Sequence, residues 1–140
     1  MDELLELRQA ITEGRYADAL HIVDELDEMA RDDKTNKIFS FMEILLIHLI
    51  KKSAEQRTTR SWENSINHAV AQIQRTNKRR KSGGFYQTNA ELLETLHEAF
   101  VLALPQAAIE AFEGTLSDDE LLAKIDRNQI IGEAMRFIEH

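Results

Sequence analysis

The chain has no cysteine, one proline, five glycines and one tryptophan in 140 residues. Without cysteine there can be no disulfide, no thiol nucleophile and no thiolate metal ligand. Scarce proline and glycine leave regular structure little interrupted, and the abundance of Leu, Ala, Glu and Ile favours long helices. No Walker loop, dinucleotide fingerprint, Gly-x-Ser-x-Gly elbow or His-Glu-x-x-His pair is present, nor any repeat or extended strand-like alternation. The start, Met1-Asp2-Glu3, lacks the basic region and apolar run of a signal peptide. The most hydrophobic stretch, Ile38–Ile50, is too short to span a bilayer and carries Ser40, Glu43 and His48. We therefore expect no membrane insertion, no cofactor and a cytoplasmic location.

What is present fits a single globular domain over residues 1–140, being 43% apolar and 30% charged. A first helix from Asp2 to about Glu13 presents Leu4, Leu5 or Leu7, and Ile11, and Gly14 stops it. A second, from about Tyr16 to Arg31, repeats Ala19, Leu20, Val23, Leu26 and Ala30, and should pack on the first as a hairpin. The polar stretch Asp32–Lys37 then separates it from a third helix, about Thr35–Gln56, apolar on nearly every side and so central. A fourth, about Trp62–Arg80, has a narrow stripe of Trp62, Ile66, Val70 and Ile73. Ser82-Gly83-Gly84 is the clearest loop, after which Phe85 and Tyr86 are expected in the core.

Thr88 with Glu91 and Ser117 with Glu120 are capping boxes, and Asp126 can cap a last helix carrying Ile130, Ile131, Ala134, Phe137 and Ile138. Pro105 should end or kink the helix that Thr88 opens. The expected fold is an all-α bundle of about five to seven helices around Ile38–Ile50.

Charge is distributed unevenly. Residues 51–81 hold nine basic and two acidic groups, net +7, between residues 1–50 at net −7 and residues 82–140 at net −8. At this basic block the sequence meets a known pattern. His48-Leu49-Ile50-Lys51, then Arg57-Thr58-Thr59-Arg60-Ser61-Trp62 and a helix with Ile66 and Ile73, resembles the central signature of the bacterial family called domain of unknown function twenty-nine. Glu13-Gly14-Arg15-Tyr16 through Val23-Asp24-Glu25-Leu26 resembles that family's N-terminal region, and Asn77-Lys78-Arg79-Arg80-Lys81 with Gly83-Gly84 is similar to its cyanobacterial branch. At Lys52 the chain departs from the aromatic residue often found there. The resemblance implies a helical, bacterial, cytoplasmic protein and brings no activity, substrate or catalytic residue.

Two readings attach to each candidate site. Trp62 can form a cation–π or anion-binding corner with Arg57 and Arg60, or anchor its helix in the core while the arginines pair with acids of the first two helices; Lys51 is a further candidate for binding a partner or anion. His48 can be a base or a buried neutral imidazole. Arg75, Lys78, Arg79, Arg80 and Lys81, with Phe85 and Tyr86 beyond, can grip nucleic acid, or complement the helix dipole and neighbouring acids. Glu94 and His97 have the spacing of a di-iron half-site, but the second copy such sites need is missing. The core, self-paired readings lead to a non-enzymatic protein-interaction module, able to form a homodimer through complementary acidic and basic faces. The alternatives are a nucleic-acid-associated regulator using residues 75–81 and a metal-dependent or hydrolytic enzyme.

Overall fold

A computed structural model describes residues 2–140 of the chain. Its regular elements are helices: α1 (Glu3–Thr12), α2 (Tyr16–Glu55), α3 (Arg60–Asn77), α4 (Asn89–Glu110), a 3-10 turn (Ala111–Gly114), α5 (Asp118–Leu122) and α6 (Arg127–Ile138). The fold is all-α, as the composition and capping signals led us to expect. Residues up to Lys34 make one compact unit and residues 35–140 a second, and α2 contributes to both.

In the first unit, Asp2 caps α1 by accepting the Leu4 amide at 2.9 Å. The helix ends in a Schellman turn. The Arg15 amide donates to Ala10 and the Gly14 amide to Ile11, at 2.8 and 3.1 Å. That turn needs a left-handed residue, and Gly14 supplies it at φ 73°. Burial then departs from the expected stripe. Ala10 and Ala19 are buried, whereas Leu4, Leu5, Ile11, Tyr16, Leu20, Val23 and Met29 are between 44% and 66% exposed. A unit of two helices has no third layer to cover its larger side chains.

Residues 32–37, expected as a connection, are helical, and α2 is unbroken from Tyr16 to Glu55. The stretch is polar but contains neither glycine nor proline, and the Asp27–Arg31 pair, at 3.3 Å, braces the turn before it. Polarity alone does not end a helix.

In the second unit, Ile38, Met42, Leu45, Leu46, Leu49 and Ile50 of α2 are buried in one cluster with Ile66 and Ile73 of α3, Leu92, Leu96 and Phe100 of α4, and Leu121 of α5. Every fourth residue of α4 from Ala99 through Ala107 is a fully buried alanine, which lets α6 approach along Ile130, Ile131, Ala134 and Ile138. Both expected capping boxes are complete, at Thr88/Glu91 and Ser117/Glu120, and Asp126 caps α6. For α3 the cap is Thr59, which accepts the Trp62 amide at 3.0 Å.

Pro105 neither ends nor replaces α4, which continues to Glu110. The proline and Val101, whose carbonyl it leaves without an intrahelical donor, both lie exposed on the outer face, where water can take the donor's place. The helix ends instead where Phe112, Glu113 and Gly114 adopt left-handed φ of 49°, 56° and 75°. A Cβ on Gly114 would lie 3.0 Å from the Ile109 carbonyl oxygen, so glycine is demanded there by space as well as by φ. With its turn, α4 (Asn89–Gly114) is long and apolar enough to cross a membrane by length and composition, but its inner face is already part of the bundle core.

Two substitutions test this account by urea unfolding. Pro105→Ala restores one helical hydrogen bond on an exposed face and should raise stability by about 1–3 kcal/mol. Gly114→Ala meets both strain and contact and should lower it by about 1–3 kcal/mol.

Candidate functional site

Leaving α2, the chain turns at Gln56, a non-glycine residue at φ 54°, and re-enters helix at Arg60. This short connection folds the signature residues onto one corner. Lys51, only 6% exposed, places its ammonium 3.0 Å from Glu110 Oε1 and 4.6 Å from the centre of the Trp62 ring. The Arg57 guanidinium also lies 4.6 Å from that ring centre and pairs with Glu55 at 3.2 Å. Trp62 is half-buried between core and surface. The arginine's partner is thus a neighbour two residues away, not an acid from residues 2–31 where the first two helices were expected. Gln106 Nε2 donates to the second oxygen of Glu110 at 2.9 Å, so both carboxylate oxygens are engaged. Beside them Lys52 binds Glu63 at 2.9 Å, and Thr58 donates to the same oxygen at 2.7 Å. Those two hydrogen bonds, that of Lys52 first, hold the Glu63 carboxyl below its ordinary value.

Burial alone would raise the Glu110 pKa. Hydrogen bonds from Gln106 and Lys51 and the Lys51 charge outweigh it and hold the carboxyl below its ordinary value. His48 is one helical turn before Lys51. Burial first, then the Lys51 charge, pushes its pKa down, with Glu110 opposing. Its Nδ1 is buried without a hydrogen-bond partner. The corner joins α2, α3 and α4 through charge and an aromatic face. Its ammonium and carboxylate are already paired with each other.

Arg60 is exposed at the start of α3 and, with Ser61, Glu63, Asn64 and Asn67, lines an open polar cavity of about 520 Å³. The remaining basic candidates lie at the other end of α3, Arg75 in its last turn and Lys78–Lys81 beyond it, up to roughly 27 Å away along an 18-residue helix. Here the structure corrects the expected helix end. α3 stops at Asn77, and Lys78–Lys81 enter a hairpin-like loop. Lys78 bridges to Phe85, the Arg79 amide donates to Gly84 at 3.0 Å, and the Tyr86 amide donates to Asn77 at 2.9 Å. Asn77 clamps the loop. Its buried side chain takes the Gln87 amide at 2.7 Å and donates to the Gln87 carbonyl at 3.1 Å. Gln87 in turn accepts from Thr95 at 3.1 Å.

On this frame Arg79 lies over Tyr86 at 5.0 Å. Arg75, Lys78, Arg80 and Lys81 are exposed, with no carboxylate partner among the described residues. Phe85 does not enter the core. It stacks on His140 with ring centres 3.5 Å apart and stays 42% exposed. The turn Ser82-Gly83-Gly84 is too short to carry it inward. Among the described residues no three His, Asp or Glu side chains converge as a metal-ligand set.

The family model described as "Domain of unknown function DUF29" matches residues 5–124. The chain belongs to the DUF29 family. No curated protein and no solved structure matches it. In this DUF29 chain the two residues that sequence reasoning overlooked, Glu110 and Asn77, hold the two candidate sites in shape. Glu110 had one signal: it is the single acid between Glu98 and Glu113, at the end of an apolar run. Asn77 had none beyond its polarity.

Two measurements test the corner. Glu110→Ala leaves a buried ammonium unpaired and should cost about 3–5 kcal/mol, whereas Lys51→Met removes the charge with its stem nearly preserved and should cost less. A folded His48 pKa below the ordinary 6.5 means that the unfolded chain takes up the proton first as pH falls. Stability should therefore be full above that value, fall as pH drops through it towards the folded pKa, and fall less in His48→Phe.

Proposed function

We propose that this DUF29 chain is a non-enzymatic protein-interaction module of the bacterial cytoplasm. One observation carries the reading. Seven large apolar side chains of α1 and the first part of α2 face solvent, on a segment with eleven acids against four bases up to Lys34. Apolar side chains in such number, rimmed by one sign of charge, fit a partner surface better than they fit water. The signature corner supports the same reading, because Lys51, Glu110 and Trp62 are engaged with one another and act as a brace. The absence of cysteine suits a reducing compartment.

A nucleic-acid partner is the second reading, favoured by one feature. Arg75, Lys78, Arg80 and Lys81 are exposed, without carboxylate partners among the described residues, near an exposed Phe85. Acidic surroundings weigh against it, since the chain is net −8 and long-range repulsion of phosphate opposes a small basic patch.

Stability separates binding residues from core residues. Leu20→Ser, Val23→Ser and Met29→Ser should each change unfolding free energy by no more than about 0.5 kcal/mol. Losses of about 2 kcal/mol or more would place the stripe in a core and remove the basis for the interaction reading. For the second reading, duplex and single-stranded DNA should bind no tighter than roughly 10⁻⁴ M at physiological salt. Tight, steeply salt-dependent binding that disappears when Arg75, Lys78, Arg80 and Lys81 are neutralised would put nucleic acid first.

A further inference from the structure

The exposed faces of the two units are opposites. On the first unit, Tyr16, Leu20 and Val23 share one face of α2 with Asp24 and Glu28 beside them, all exposed. In the second, Gln74 Nε2 donates to the Phe137 carbonyl at 2.9 Å and sets the end of α6 beside the end of α3. That end of the bundle exposes Phe85 and Phe137, 42% and 40%, with Arg75, Lys78, Arg80 and Lys81 close by in the chain fold. One face is apolar with an acidic rim, and the other is apolar with a basic rim.

We propose that the N-terminal helix pair of one copy docks on the basic end of the bundle in a second copy. This rests on the interaction reading and names its partner. Charge decides the pairing. Two acidic helix pairs brought face to face would repel, and so would two basic ends, whereas acidic against basic is attractive and covers apolar surface on both sides. The loop is suited to the part because the Asn77 clamp holds Arg80 and Lys81 in place before binding, so little loop ordering opposes association. The contact joins two different patches, so it closes into a dimer when reciprocated about a two-fold axis.

A charge swap tests the proposal on the full chain by sedimentation at micromolar concentration. The wild type should associate, more strongly in low salt. Asp24→Lys/Glu28→Lys reverses one face and Lys78→Glu/Arg80→Glu/Lys81→Glu the other, and each variant alone should be monomeric. Mixed in equal amounts they should associate again, because each reversed face now meets its reversed complement. A wild type that stays monomeric in low salt overturns the proposal, as does a mixture that fails to associate, or single variants that associate like the wild type. Hydrogen exchange of a monomeric wild type then separates two failures. Readily exchanging α1 amides would leave the interaction reading standing with a different, basic protein as occupant. Amides of α1 protected as strongly as those of Ile66 and Ile73 would show the stripe satisfied within one chain and end both ideas.

Discussion

The bundle turns on a charge placed where charge is expensive. Lys51 brings an ammonium into the packed junction of α2, α3 and α4, and the junction is tenable because Glu110, fifty-nine residues on, reaches it at 3.0 Å. Without that carboxylate the ion would be buried unpaired; without Trp62 it would have no aromatic face against which to lie. Satisfying the pair constrains much else. α4 must run past Pro105 to bring Glu110 to the corner, and must then stop. The left-handed turn at Phe112–Gly114 provides the stop at a cost in strain. Lys51 also lies at the carbonyl end of α4, where a positive charge is favoured by the helix dipole.

The residues that carry the family resemblance have a structural role at this corner. His48, Lys51, Arg57, Thr59 and Trp62 all serve the passage from α2 to α3 and its seating on α4. Thr59 caps, Arg57 and Lys51 flank the indole, and His48 stays neutral beneath them. The exposed apolar side chains of residues 3–34 and the exposed basic ones of the loop after Asn77 lie outside this corner.

Much of this architecture could be read from residue types. Thr88/Glu91, Ser117/Glu120 and Asp126 marked helix starts because their side chains answer specific backbone donors. The Ile38–Ile50 run marked the central helix because it is apolar on too many sides for a surface position. What could not be read depended on neighbours distant in sequence. Residues 32–37 look like a connection, yet their polarity supplies no break and the helix runs through them. Pro105 looks like a stop, and is tolerated because its unpaired carbonyl faces outward, which only packing reveals. Lys78–Lys81 look like the end of a helix until Asn77 is seen holding Gln87. The Glu110 partner of Lys51 is invisible without the fold.

The thinly buried helix pair also bears on how the chain unfolds. The slope of stability against denaturant follows the surface newly exposed on unfolding. Among the described residues up to Lys34, only Ala10 and Ala19 are buried and Leu7, Ile22 and Leu26 are half-buried, so this segment adds less surface per residue when it opens than the bundle does. The slope for the chain should be smaller than its length suggests. Opening of the pair can then precede the main transition and leave little mark on it.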